Sequence, residues 1–322
     1  MKWMMKAAAG HVLSRAPGGR RLHYLVQRYV TRSLPMPMED FDIRLRIACQ
    51  HLLHHRRVMG DRPLAEATFL EFGAGWDLTV PLVYRAAGVG HQLLFDLEAL
   101  AQPDLISVSR SRLREAIGSS KVPSTCAPLL DAGRLPPSGP LSPAELDEWL
   151  RRLGITYLAP SDARATRLAA ASVDVVTSTA TLEHIPERDI ARIFREMFRV
   201  LRPGGMMSCQ VDMSDHFSHG DATISPWHFL RFGERTWRLI DPPMLYMNRL
   251  RASAYASLAR AEGFDVVEFI AEYPNDMDPS RIDAPVVHPS FVRYEDHPDL
   301  VATRLQLVCV KPASVNTGAG SP

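Results

Sequence analysis

The sequence predicts an α/β chain built on a parallel sheet, and three observations carry that reading. Short apolar runs recur between residues 68 and 310 and alternate with helical patterns, as βαβ units do. One of them, Thr68-Phe-Leu-Glu-Phe-Gly-Ala-Gly75, has the composition of a buried parallel strand that ends in an acid and two glycines one residue apart. Those glycines let the backbone approach a ligand with no Cβ in the way. Finally, 322 residues at 46% hydrophobic and 23% charged suit one large α/β domain with additions, or two modest domains.

Taken in order, residues 1–62 read as a basic helical extension. They hold 12 Lys and Arg against Glu39, Asp40, Asp42 and Asp61, a net +8 that leaves −7 for the remainder, and the first 38 residues carry no acid. Leu22, Leu25, Val26 and Tyr29 recur at helical spacing beside Arg21, Arg28 and Arg32. Such a helix covers a core, or lies peripherally on an anionic membrane, or contacts a polyanion. An acid-free start is also compatible with an organellar presequence, whereas nothing resembles a secretory signal.

Strands are predicted near 68–73, 91–96, 155–159, 173–179, 206–212, 265–271 and 303–310. The clearest helix is 188–201, where Ile190, Ile193, Phe194, Met197, Phe198 and Leu201 form one stripe and Pro203-Gly204-Gly205 is expected to stop it. Two insertions break the rhythm. Residues 119–152 are rich in Pro, Gly and Ser, with one short helical signal from Ser142 to Leu150, and residues 213–250 are polar and aromatic. The tail 313–322 is small and polar, so a frayed end is expected. No apolar stretch approaches the ~20 residues that span a bilayer. Cys49, Cys126, Cys209 and Cys309 lie far apart with no Cys-x-x-Cys pair, which argues against a disulfide framework or zinc ribbon and predicts a reducing, cytoplasmic setting.

The glycine-rich turn fits either a nicotinamide cofactor or S-adenosylmethionine. A nicotinamide fingerprint places Gly or Ala three residues after Gly75, to pack a helix against the pyrophosphate, and Leu78 stands there. S-adenosylmethionine has no phosphate and carries an ammonium and a sulfonium, so an acid such as Glu71 at the strand end is electrostatically favourable. Three segments together, Thr68–Gly75, Thr181-Leu-Glu-His-Ile-Pro186 and Leu201-Arg-Pro-Gly-Gly205, resemble the class I S-adenosylmethionine-dependent methyltransferases. The resemblance spans residues 66–213 and continues more weakly to about 312. It implies a Rossmann-like, doubly wound, seven-stranded and mostly parallel sheet with helices on both faces, with the catalytic domain at 63–312 and the 213–250 insertion as an acceptor lid.

By the same resemblance Glu71, Gly73 and Gly75 hold the methionine and ribose parts of S-adenosylmethionine. Trp76 replaces the family's usual third glycine and either narrows the cofactor pocket or borders the acceptor site. Asp96 ends the second strand and takes the ribose hydroxyls, with Glu98 as the neighbouring alternative; a carboxylate there accepts charge-assisted hydrogen bonds. Asp162 and Ala163 match the adenine-binding pair, although Asp162 equally suits an N-cap. Ser178 to Ala180 are expected beside the cofactor, and Asp174 is expected to be structural.

On the acceptor side, transfer to an alcohol gains from a base, worth roughly 10²–10⁴-fold. The 213–250 insertion offers candidates: His216 first, because of its neighbouring carboxylates, then His219 and His228, with His184 from the preceding motif. Imidazole and carboxylate also suit divalent ions. The Asp and Asn set of metal-dependent catechol methyltransferases is not matched, so no metal is predicted. Trp227, His228 and Arg249 are expected to line the acceptor site, with Asn248 at its mouth. The resulting expectation is O-methylation of a small polar or saccharide-like metabolite. A nucleic-acid methyltransferase using the +8 segment and a non-catalytic cofactor-binding module are the other classes, the first lacking an Asn-Pro-Pro-Tyr-type motif.

Overall fold

The computed structural model describes residues 2–60, 62–119, 121–283, 285–294 and 297–313; the tail 314–322 expected to fray lies outside the described residues. Three N-terminal helices, α1 (Lys2–Arg15), α2 (Gly19–Leu25) and α3 (Met38–Met59), precede the sheet. There follow β1 (Thr68–Phe72), α4 (Thr79–Ala87), β2 (His91–Phe95), α5 (Pro103–Ile117), α6 (Leu146–Arg152), β3 (Ile155–Leu158) and β4 (Val173–Thr179). The second half holds α7 (Glu187–Val200), β5 (Leu201–Asp212), α8 (Glu234–Ile240), α9 (Ala252–Ala261), β6 (Asp265–Glu272), α10 (His297–Val301) and β7 (Arg304–Val310).

The seven strands run β3-β2-β1-β4-β5-β7-β6 across one sheet. The first five pair in parallel, and β7 lies antiparallel to both β5 and β6. Because β1 is followed by β2 on one side and neighbours β4 on the other, strand order reverses at β1. In open α/β sheets that reversal opens a ligand crevice at the carboxyl ends of the strands.

Successive strand side chains point to opposite faces, so each strand feeds two cores. Phe69, Val175, Met206 and Val308 pack with α3, α4 and α5, while Leu70, Val176, Met207 and Leu307 pack with α7 and α9. The predicted stripe of α7 is buried through Ile190, Ile193, Phe194 and Met197. Its end differs from expectation: the helix stops at Val200, and β5 starts at once with Leu201 opposite Val173. Pro203-Gly204-Gly205 therefore lies inside the strand, at a register irregularity, where Gly204 takes φ +76°.

The basic segment is built into the domain. His51 in α3 reaches Ser208 Oγ (2.7 Å) and Thr179 Oγ1 (3.3 Å), and His54 reaches Ser208 Oγ (3.0 Å) and Glu268 Oε1 (2.9 Å), so α3 is pinned across β4, β5 and β6. Arg20 pairs with Glu98, Arg28 with Asp104, Arg57 with Glu268 and Arg62 with Asp174. The opposite net charges of the two parts are thus partly matched within one molecule. Asp174 is fully buried and takes Arg62, Arg202 and the Thr68 amide, a structural role.

The cysteine reading needs correction: Cys49 and Cys126 form a disulfide. The pairing joins α3 to the 119–152 insertion across 77 residues of sequence, so spacing alone could not show it. Cys209 and Cys309 are free and buried. Among the described residues no helix is long and apolar enough to cross a membrane.

A third, smaller core stands at the carboxyl end of the sheet. Phe217, Phe229, Leu230, Trp237 and Met247 of the 213–250 insertion pack with Ala7 of α1 and with Phe291, Tyr294 and Leu300 from the β6–β7 connection. This core thus has three contributors, of which the sequence showed one.

Candidate active site

The cofactor side is assembled from strand ends. After β1 the chain turns through Gly73 (φ +78°) and Gly75 (φ +73°), dihedrals that L side chains rarely adopt. A Cβ on Gly73 would collide with the side chain of Thr181, so the β1 turn and the segment after β4 touch. The Gly75 amide donates to Asp96 Oδ2 (3.2 Å), tying the glycine turn to the end of β2. Glu71 is buried, which pushes its pKa up to about 8 against the pull of Arg44. Burial also raises Asp96, partly offset by the amides of Gly75 and Glu98. Arg44, contributed by α3, lies with Nη1 4.0 Å from the position a Gly75 Cβ would take, and its charge acts on both Glu71 and Glu183. Trp76 stacks on Tyr24 of α2 at 5.3 Å between centroids and 22° between planes, so the N-terminal segment covers the glycine turn.

The acceptor side lies just beyond Thr181. Glu183 is buried at 2% exposure, and neither carboxylate oxygen has a partner of hydrogen-bond geometry among the described residues. Burial first, and then the neighbouring Asp212, push its pKa well above the usual carboxylate range. His184 is open on one side, and its Nδ1 donates to the Tyr246 carbonyl (2.8 Å), which leaves Nε2 as the lone-pair nitrogen. Crowding by protein, together with His216, pushes its pKa down to about 4. At the end of β5, Asp212 Oδ2 lies 3.5 Å from His216 Nε2 and 3.8 Å from His219 Nε2. Burial works to raise Asp212, but His216 and Ser214 hold it well below the usual range. The His216 ring is 5.0 Å from that of His184 and 4.9 Å from that of His219.

Comparison with known proteins follows the geometry. A family model described as a methyltransferase domain matches residues 141–209, the stretch from before α6 into β5. The matched stretch contains β3 and β4 and lies in the sheet that carries the glycine turn. Over these residues the chain carries a methyltransferase domain. Solved structures of similar shape include an S-adenosylmethionine-dependent methyltransferase from Mesorhizobium loti, at 15% identity over 79% of this chain and 95% of that one, TM-score 0.40. Another is a Haemonchus contortus phosphoethanolamine N-methyltransferase 2, at 17% identity over 82% of this chain and 52% of that one, TM-score 0.43. No curated protein sequence matches.

Glu71, Gly73, Gly75 and Trp76 lie at and after the end of β1, and the Gly75 amide links that turn to Asp96 after β2. Others fall differently. Ser178 is buried and its hydroxyl donates to the Phe72 carbonyl (3.5 Å), so its side chain turns into the sheet. Asp162 follows β3 as expected, next to the buried Ala163, but its carboxylate is gripped by Arg164 Nε (3.0 Å) and Nη2 (2.7 Å), which holds its pKa low. Arg249, expected at the site mouth, is buried within the 213–250 insertion. It donates to the Phe229 and Phe232 carbonyls, pairs with Glu234 and stacks on Trp237. His228 is buried against Trp3 and Phe232 and paired with Asp215 (3.3 Å). Trp227 donates its indole N–H to the Val301 carbonyl. All three build the insertion's interior, where aromatic faces and fixed hydrogen bonds are satisfied by protein. Arg44, Tyr24 and Glu183 were not among the candidates. Glu183 sat inside the quoted Thr181–Pro186 motif, whereas nothing in the sequence of α3 or α2 marks Arg44 or Tyr24.

Proposed function

We propose that this methyltransferase transfers the S-adenosylmethionine methyl group to an oxygen of a small polar or saccharide-like acceptor, with His184 as proton acceptor. The supporting observation is the contact of Thr181 with Gly73, which sets Glu183, His184, His216, His219 and Asp212 directly beyond the glycine turn. In this reading Asp96 takes the ribose hydroxyls, Glu71 faces the ammonium end, and Arg44 receives the carboxylate of the methionine part. The acceptor oxygen attacks the methyl carbon in line with the sulfur. An O–C bond forms, the S–C bond breaks, the hydroxyl proton passes to His184 Nε2, and S-adenosylhomocysteine leaves.

His184 replaces His216 as first choice because its Nδ1 is committed to a carbonyl and Nε2 is left as the base, while His216 Nε2 faces Asp212. A polar acceptor follows from the imidazoles and carboxylates of this cleft rather than from the lid's aromatic residues, which pack inward. The test is labelled-methyl transfer from S-adenosylmethionine to panels of sugars, phosphorylated and carboxylated metabolites, with base-stable label in the product marking an ether. Base-labile ester label, or label on amines alone, contradicts O-alkylation of a hydroxyl. A cytoplasmic location stays an expectation.

A second reading concerns partners. Leu22, Leu25, Tyr29 and Val30 are exposed beside Arg21 and Arg32, which favours peripheral contact with anionic membrane. Co-sedimentation with phosphatidylserine vesicles, weakened by Leu25→Glu, is the expected result; equal recovery with and without vesicles argues that the segment only covers the cofactor turn.

A further inference from the structure

We infer that Asp212, His216 and His219 form a binding site for a divalent first-row transition-metal ion at the acceptor side of the cleft. The three ligand atoms lie within 4.8 Å of one another. Two of the separations, 3.5 Å from Asp212 Oδ2 to His216 Nε2 and 3.8 Å to His219 Nε2, are close to the roughly 3.4 Å between neighbouring ligands of a tetrahedral ion held at about 2.1 Å. Two imidazoles and one carboxylate suit zinc, iron, cobalt or nickel better than magnesium or calcium, which prefer all-oxygen sites. The sequence order, Asp at the end of β5 and histidines four and seven residues later in the following turn, lets one short segment supply all three ligands.

Independent observations point into the same place. His216 Nε2 is inaccessible to solvent and faces Asp212 Oδ2 at 3.5 Å, longer than a hydrogen bond of normal geometry. Glu183, only 2% exposed, has two carboxylate oxygens with no hydrogen bond of normal geometry among the described residues, and its ligand atom falls within 4.8 Å of those of His184 and His216. Ser214 Oγ donates to the other Asp212 oxygen (2.6 Å), the outer support that orients a metal ligand, and then accepts from His219 Nε2 (2.9 Å), a bond that an ion would displace. Lys6 donates to the backbone carbonyl of His216 (2.8 Å), away from the ligand nitrogen. With three protein ligands the ion keeps an open position. An acceptor hydroxyl bound there would be oriented toward the methyl group and its proton acidified for His184. That consequence rests on the proposed acceptor reading; binding of the ion does not.

The test uses the full, untagged chain stripped with a chelator and titrated with Co²⁺, followed by visible absorption, with Zn²⁺ retention measured by mass spectrometry after gel filtration. One ion per chain and intense Co²⁺ bands are expected. Asp212→Asn and His219→Ala should each weaken binding at least about tenfold, while S-adenosylmethionine affinity, measured on the same samples, shows that the variants are folded. His184→Ala should keep the ion. No retained ion, affinity unchanged in both ligand variants, or loss of the ion in His184→Ala overturns the assignment. An ion that binds as described in a chain that methylates no hydroxyl supports the site and refutes the acceptor reading instead.

Discussion

The cofactor half and the acceptor half of this molecule are built by different means. The cofactor candidates lie in or shortly after a strand: Glu71 in β1 with Gly73, Gly75 and Trp76 after it, Asp96 after β2, Asp162 and Ala163 in the turn beyond β3, and Ser178 in β4. The turn residues are dictated locally, by positive φ and by close approach of Thr181. The acceptor half is held by contacts distant in sequence. Arg251, fully buried, donates to the carbonyls of Met213 (2.9 Å) and Ala302 and lies near that of Asp299, joining the end of β5 to the β6–β7 connection. Asn248 ties the insertion to the carbonyls of Leu182 (2.7 Å) and Ile185 (2.8 Å), and α1 closes the third core through Trp3 and Ala7. A sheet can therefore keep its cofactor turn while its acceptor side is rebuilt, because only the second depends on how the insertions meet.

Variants should separate the halves. The largest effect is expected from His184→Ala, which should lower turnover by roughly 10²–10⁴-fold at unchanged cofactor affinity; a proportional loss of cofactor binding would mean that the halves are not separable there. Next, Arg251→Ala strands buried carbonyls and leaves a cavity, so unfolding in urea should show a loss of about 3–5 kcal/mol; a loss below about 1 kcal/mol would deny it the clamping role. Asp96→Ala should weaken S-adenosylmethionine binding by about 1.5–3 kcal/mol and leave unfolding near wild type, read by calorimetry.

Glu71 supplies a pH signature. Its pKa is raised to about 8, so below that pH the folded chain holds a proton that the unfolded chain loses near 4.5. Its contribution to stability is complete below pH 4.5 and is lost as pH rises through 8. Pairing with the cofactor ammonium should then release up to one proton at pH 7, seen as a buffer-dependent binding enthalpy that disappears in Glu71→Gln. The smallest effect is expected from Tyr24→Ala, which removes the stack on Trp76 and should cost about 0.5–1.5 kcal/mol in cofactor affinity if the N-terminal segment is a true cover.

The same division explains what could be read in advance. Strands and the α7 stripe follow from periodicity, and the cofactor residues follow because the residues that make a strand-end turn are neighbours in the chain. In the 213–250 insertion, short turns leave no period to read. Trp227, His228 and Arg249 have the composition of a binding surface and equally of a small aromatic core, and only the approach of Phe291, Tyr294 and Leu300 decides between them. Arg44 and Cys49 face their partners because α3 lies across the sheet, a placement fixed by His51 and His54 meeting Ser208. No local pattern carries that information.

The most direct test is a crystal structure with S-adenosylhomocysteine bound. The ribose is predicted on Asp96, the carboxylate at Arg44, and the sulfur turned through the gap between Gly73 and Thr181 toward His184 and Asp212. A sulfur that opens to any other face of the protein, with His184 and Asp212 behind the cofactor, would contradict the joining of the two halves into one transfer site.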